Sequence, residues 1–477
     1  MQAGEVVGRF DRLSGVQGSP CSFLPGVPDR TERYREYRIE RARIDQDCPP
    51  NSLTLGGIFP DETADPERPD SYHFEEIDRH VLAARAAGTR VLWQASYDIG
   101  ASDHWVGFNL GGRPPKDRER WARVVEHCLE HFNAGWANGH RGLVESVEFP
   151  NEPNGLGGFN GAHGPELLPT FLRFIELVEG FNQRHPEASV RAVGPGIPLC
   201  WPDWPAWEPR FDEGLRALHA AGRTLPVLSF HTYGSDVAPV SNARLAQAFR
   251  ALLDRHGMQQ TELWNTEWQA GEFLERHLRI DAARRARATQ AERKSYVAAA
   301  ATYALACKSR WQGVVTGSIY YRATERAYSP EHPEAARRSA AAGNELFFAK
   351  SGKLGALALQ ERLTDLAVRS APQRCRTVFA DDGLLTALGL RSVDGQVVGV
   401  LATNLAMRPR RLAVTFTGLA PVAPAVARAW TIDGAVDELV ERATPLPEGA
   451  IGGPVLPVEL APLTASLTLV SARSAYR

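Results

Sequence analysis

From about residue 38 to about residue 350, segments with apolar residues at helical spacing alternate with short runs rich in Val, Leu and Ile. That alternation constrains the chain more than any other feature. Strand-length apolar runs separated by amphipathic helices pair side by side and in parallel, with the helices laid over them. Glu75 to Ala87 carries Ile77, Val81, Leu82 and Ala86 at helical spacing, Gly88 stands where a helix stops, and Arg90 to Ser96 reads as the next strand. Further helix and strand pairs are Trp121 to Gly135 with Val144 to Phe149, Glu166 to Arg184 with Val190 to Val193, and Phe211 to Ala221 with Pro226 to Phe230. Arg244 to His256 with Thr261 to Trp264, and Glu292 to Arg310 with Gly313 to Tyr320, complete the series. With Glu40 to Ile44 and an opening strand near Leu13 to Val16, eight strands are counted, which predicts an α/β fold of the closed (β/α)8 TIM barrel type. A doubly wound open sheet is the alternative. The barrel is preferred because no glycine-rich phosphate turn follows a strand, while polar and aromatic residues collect at the strand ends.

Past residue 350 the texture changes to short alternating runs such as Gln396 to Ala402, Leu412 to Phe416 and Leu463 to Ser471, separated by Gly, Pro and Asp turns. No helix-length pattern is read there, and the last run has the alternation of a half-buried strand. The expected organisation is a barrel over residues 1–350, with the opening residues free to join the second unit, and an appended C-terminal β-sandwich over 351–477.

Composition narrows the partners. Hydrophobic residues make up 43% and charged residues 23%, so the chain folds around a core, and 54 basic against 56 acidic residues leave a net charge of -2. Such a balance offers no sustained field for nucleic acid or an anionic membrane, and a neutral small molecule or glycan fits better. The six cysteines include no CxxC pair, and no His cluster stands at metal-ligand spacing, so no metal or organic cofactor is expected. Met1 to Leu13 carries charges and lacks the apolar stretch of a leader, from which a cytoplasmic location is expected. A secreted protein whose leader has been removed stays open, as does self-association into a homo-oligomer.

Two glutamates end strands of the count: Glu152 after the fourth, in Phe149-Pro150-Asn151-Glu152-Pro153, and Glu267 after the seventh, in Trp264-Asn265-Thr266-Glu267-Trp268. A lone glutamate after a strand more often serves a helix N-terminus. Strand ends four and seven, however, face each other across a barrel mouth, where two carboxylates flank one bond. Glycoside cleavage needs that pair, one acid to protonate the leaving oxygen and one carboxylate on the other face of the sugar.

The sequence Asn151-Glu152-Pro153 resembles the acid/base signature of the large barrel clan of retaining glycosidases, whose nucleophile ends strand seven. Phe59-Pro60-Asp61, Asp65-Pro66, Ser71-Tyr72-His73-Phe74, Asp78 and His131-Phe132-Asn133-Ala134-Gly135-Trp136 resemble glycoside hydrolase family 39, the β-xylosidase and iduronidase family. The resemblance covers roughly residues 38 to 330 and implies a barrel with an appended β-sandwich. It implies Glu152 as general acid/base, Glu267 as nucleophile in preference to Glu262, and Asn151 as a partner of the sugar hydroxyl beside the anomeric carbon. It places His231 and Tyr233 at the end of strand six, where clan members bond the nucleophile and the sugar.

The chain also departs from the family. Pro150 stands where a tryptophan is common, Arg43-Ile44-Asp45 replaces an Arg-x-His pattern, and Asn160 replaces a frequent aromatic. Arg43 or Arg322 would supply a cation for a uronic acid, or pair with the catalytic carboxylates. Trp93, Trp268 and Tyr320 are further candidates for substrate contact, as are Trp105 and the tryptophans Trp201, Trp204 and Trp207 of a proline-broken loop, since sugar faces stack on such rings. The expected function is a retaining, exo-acting glycoside hydrolase on a neutral xyloside-like or arabinoside-like sugar. A transglycosylase with the same pair, and a barrel that binds carbohydrate without turnover, are the alternatives.

Overall fold

The computed structural model describes residues 2–21, 30–44, 53–97, 99–100, 115–153, 166–233, 238–279, 289–321, 356–379, 381–417, 425–432, 439–445 and 456–472. After β1 (Gln2–Arg9), the strands β2 (Gly15–Gln17), β3 (Arg41–Ile44), β4 (Arg90–Gln94), β5 (Ser146–Glu148), β6 (Arg191–Leu199), β7 (Val227–Thr232), β8 (Glu262–Trp268) and β9 (Gly317–Tyr320) form a closed barrel. All its pairs are parallel, and Val16 opposite Tyr320 joins the last strand to the first.

Local chemistry sets the helix ends. Gly88, at φ 78°, takes the left-handed position after the helix Glu75–Ala86, where only glycine is unstrained. Asp117 caps Arg118–Asn133 by accepting from the Arg120 N–H, and Thr289 with Glu292 forms a capping box on Gln290–Trp311. The helix expected to begin at Phe211 begins at Trp204, because Pro205 lies in its first turn, where the missing N–H removes no helical bond. The proline-broken loop is therefore mostly helix. β6 likewise runs on to Leu199 through Gly194-Pro195-Gly196, since a bulge between Pro195 and Ile197 absorbs the turn residues.

Strand alternation divides the barrel into an inside and an outside. Leu92, Val193, Val227, Trp264 and Ile319, one from each of five strands, form a buried cluster of their own, which they can do only across the barrel interior. Arg41 covers the Trp264 ring at 4.4 Å. The outward-facing residues pack with the helices in a second, much larger core.

The second unit is a seven-stranded antiparallel sheet ordered β1, β10 (Gln373–Arg376), β11 (Leu385–Arg391), β12 (Val397–Asn404), β17 (Thr464–Ala472), β14 (Ala425–Ile432), β15 (Val440–Pro445), faced by β13 (Arg410–Val414) and β16 (Leu456–Leu460). β1 lies at the edge of this sheet, paired with β10. A helix, Ala356–Ser370, stands where only strands are expected. Its Glu361 accepts from Lys308 of the helix Gln290–Trp311 at 2.5 Å, both side chains buried, so it packs on the barrel, and the sandwich strands other than β1 follow it. β17 is buried on both faces rather than one. Leu467 and Leu469 join the core shared with the barrel helices, and Val470 faces the second sheet. Among the described residues no helix is long and apolar enough to cross a membrane.

The interior is packed to contact. A Cβ on Gly317 would lie 2.6 Å from three ring carbons of buried Trp264. Gly317→Ala should lower the unfolding free energy by about 1–3 kcal/mol, read as a fall in urea midpoint at unchanged m-value. A wild-type midpoint would mean that the barrel floor has slack.

Candidate active site

Glu148, Asn151 and Glu152 follow one another at the end of β5. Glu148 is fully buried inside the barrel, while Phe149, pointing the other way, packs on Phe171 and Phe174. Glu152 sits in the left-handed region at φ 42°, a conformation strained for glutamate and found where a site fixes the backbone.

Glu267 reaches the interior by an irregularity. Trp264 points inward, so regular alternation would turn residue 267 outward. Between the pairs Phe230 with Asn265 and His231 with Glu267, β8 has one extra residue, Thr266, and this bulge re-aims Glu267 into the barrel. Trp268 is turned outward by the same step.

A fully buried guanidinium binds these ends together. Arg43 Nε donates to Glu148 Oε2 at 2.6 Å, Nη1 to Glu267 Oε2 at 2.9 Å and to Gln17 Oε1 at 3.3 Å, and Nη2 to Asn151 Oδ1 at 2.6 Å. The Tyr233 hydroxyl donates to Glu267 Oε1 at 3.0 Å. Removal from bulk water, and then the neighbouring Glu267 carboxylate, push the Tyr233 phenol well above its ordinary value, so it stays a donor. His231, fully buried, places Nδ1 2.9 Å from Glu152 Oε1 and 3.9 Å from Glu267 Oε2. One oxygen of each glutamate and a His231 nitrogen all lie within 4.8 Å of one another. These atoms would also suit a cation, but the Arg43 guanidinium already supplies the positive charge at Glu267.

Of the expected site residues, the structure gathers Glu152, Glu267, Asn151, His231, Tyr233 and Arg43. Arg43 is not a substrate contact, since it is sealed beneath the pair with its donors committed to protein side chains. Three other expectations are corrected. Trp93 lies on the outward face of β4 against Phe132, fully buried. Trp268 packs on Trp311 and Tyr320 and donates to Ser318 Oγ, and the Tyr320 hydroxyl accepts from the Ala270 N–H. All three belong to the layer between barrel and helices. Trp204 is likewise core, against Phe211 and Phe249, and Trp207 packs on Phe211. Asp45, Trp105, Asn160 and Arg322 lie outside the described residues. Sequence reasoning missed Glu148 and Gln17. The signal for Glu148 was a charged residue in the apolar run Val147-Glu148-Phe149, a place where an unpaired carboxylate is not tolerated.

No protein-family model and no curated protein matches this sequence. Among solved structures, the chain is similar over 98% of its length to 98% of a glucosidase from Croceicoccus marinus, at 22% identity and a TM-score of 0.65. It is similar to a monomeric beta-xylosidase from Caulobacter crescentus CB15 at 16% identity, TM-score 0.64 and 98% coverage of both chains. A GH39 enzyme from Xanthomonas axonopodis pv. citri aligns at 13% identity and TM-score 0.62, over 99% of this chain and 96% of that one. At such identities the likeness carries the fold, a TIM barrel with an appended sheet domain.

Arg43 is the cation shared by Glu148 and Glu267, and removing one partner of a buried ion pair leaves uncompensated charge. Arg43→Met should therefore cost about 3–5 kcal/mol of stability, measured by denaturant unfolding. Adding Glu148→Leu should recover part of that loss. An Arg43→Met variant as stable as wild type would mean that the carboxylates do not depend on this guanidinium.

Proposed function

We propose that this protein is a retaining glycoside hydrolase, with Glu152 as general acid/base and Glu267 as nucleophile. The observation that carries the reading is the carboxylate pair: two glutamates from the fourth and seventh strand ends of one barrel, with oxygens within 4.8 Å. Retaining pairs stand about 5–5.5 Å apart and inverting pairs about 6.5–9.5 Å, the wider gap making room for a water. The likeness to a glucosidase and a xylosidase supports the same class.

In the first step Glu152, protonated, gives its proton to the glycosidic oxygen while a Glu267 oxygen bonds to the anomeric carbon and the leaving group departs. In the second, Glu152 takes a proton from water, whose oxygen displaces Glu267. Tyr233 and Arg43 hold Glu267 in place and ionised for attack. His231 holds Glu152, and Asn151, its Oδ1 engaged by Arg43, has its Nδ2 to donate to a sugar hydroxyl. The commitment of Arg43 to protein carboxylates favours a neutral sugar, of the xyloside or arabinoside kind, over a uronic acid.

Glu152→Gln should lose about 100 to 10,000-fold on substrates with poor leaving groups and much less on activated aryl glycosides, with a glycosyl-enzyme accumulating on Glu267. Azide, which needs no base, should restore turnover in Glu152→Ala and give a glycosyl azide of retained configuration. Glu267→Ala should lose activity on every substrate and, where azide rescues it, give the inverted product. Mass spectrometry of the trapped enzyme and NMR of the azide products read these outcomes. Full activity in either variant, or a sugar trapped on another residue, would refute the assignment.

A further inference from the structure

A second cluster of ligand-type side chains lies in the helical layer and shares no residue with the carboxylate pair. Asp78 belongs to the first turn of the helix Glu75–Ala86, His131 to the last turn of Arg118–Asn133, and His140 to the segment leading toward β5. One ligand atom from each lies within 4.8 Å of the others. His131 Nε2 is 3.0 Å and 3.1 Å from the two Asp78 oxygens, and His140 Nε2 is 3.1 Å from Asp78 Oδ2.

The segment after His131 is folded tightly to bring this about. Gly135 takes the left-handed position without strain at φ 86°, while Ala137 and Asn138, at 52° and 58°, take it with a Cβ, a strain that packing must hold. A Cβ at residue 139 would stand 2.2 Å from the His131 carbonyl oxygen and 2.6 Å from its Nδ1, so only glycine permits the approach. The His140 N–H then donates to the His131 carbonyl at 2.6 Å, setting the second imidazole beside the first.

The His131 ring is oriented from two sides. Phe74 stacks on it at 3.5 Å and 5°, and Nδ1 faces the Trp136 carbonyl at 3.1 Å. A carbonyl only accepts, so Nδ1 carries the hydrogen and Nε2 is the nitrogen turned to Asp78. That is the outer partner that metal-binding histidines use to fix their tautomer. His140 Nε2 is buried and makes no hydrogen bond, although a carboxylate oxygen lies beside it.

We propose that Asp78, His131 and His140 bind a divalent transition metal ion of the zinc type. Two imidazole nitrogens and one carboxylate suit zinc and not magnesium or calcium, which prefer oxygen alone. At bond lengths of about 2.0–2.1 Å, tetrahedral ligand atoms stand roughly 3.3 Å apart, close to the 3.0–3.1 Å that separates each imidazole nitrogen from the Asp78 carboxylate. The Asp78 and His140 side chains are 20% and 28% exposed, which gives the ion a way in and a fourth position for water. The ion would fasten two barrel helices to the segment that enters β5, a bracing role separate from catalysis.

Metal-free full-length protein titrated calorimetrically with zinc chloride tests this. One equivalent should bind and raise the thermal midpoint. His140→Ala and Asp78→Asn should each weaken binding at least about 10-fold, the value of even an outer partner, with circular dichroism confirming the fold. Glu152→Gln should leave this equivalent in place. Absence of saturable binding, binding that survives both His140→Ala and Asp78→Asn, or loss of the only equivalent in Glu152→Gln would overturn the proposal, the last by assigning the ion to Glu152, His231 and Glu267.

Discussion

A single buried guanidinium organises the open end of the barrel. Arg43 comes from β3, and its donors reach Gln17 on β2, Glu148 and Asn151 at β5, and Glu267 on β8. A planar fork can serve acceptors in several directions at once, which a lysine ammonium on a flexible stem cannot do with fixed geometry. The carboxylates are costly to bury and gain only when charge and hydrogen bonds are both supplied. Arg43 supplies both, so the strand ends that carry the carboxylate pair are held in mutual register.

The other determinant is where strand alternation is broken. The bulge at Thr266 turns Glu267 inward and Trp268 outward, and the bulge at Gly196 carries β6 past its proline. A Cβ on Gly196 would come within 3.5 Å of both Glu148 Oε1 and His231 Nε2, so the same glycine brings the backbone against the groups behind the carboxylate pair. Bulges of this kind recur beside active sites because they re-aim one side chain without unmaking the sheet.

These bulges mark the limit of what the sequence discloses. The alternation of helix and strand was enough for the barrel, and the contexts of Glu152 and Glu267 were enough for the pair, because both depend on spacing along the chain. Trp93, Trp268 and Tyr320 were misplaced because aromatic rings on barrel strands were read as surfaces for a sugar, whereas alternation turns these three away from the interior and into the helical layer. The helix Trp204–Ala220 was shortened because its prolines read as breakers, when Pro205 occupies the first turn. Glu148 was in plain view as a charge in an apolar run, but its meaning depends on Arg43, 105 residues away. The Asp78, His131 and His140 cluster has no ligand spacing in sequence, since its members meet only through the packing of two helices and a strained turn.

The two glutamates differ in how their oxygens are engaged, and this divides the roles. Glu267 is nearly buried and has a donor on each oxygen, Tyr233 on Oε1 and Arg43 on Oε2. A proton placed on either would displace a bond to a phenol or a guanidinium, so the site favours this group as a carboxylate. Glu152 is more exposed, and its one described partner is His231, on Oε1. Its other oxygen has no protein donor among the described residues, as a group that passes protons to and from a substrate requires. A nucleophile must stay ionised through the first step, and an acid/base must change protonation twice in each turnover. The hydrogen bonding thus favours, through an independent physical route, the proposed assignment of roles that the family resemblance implies.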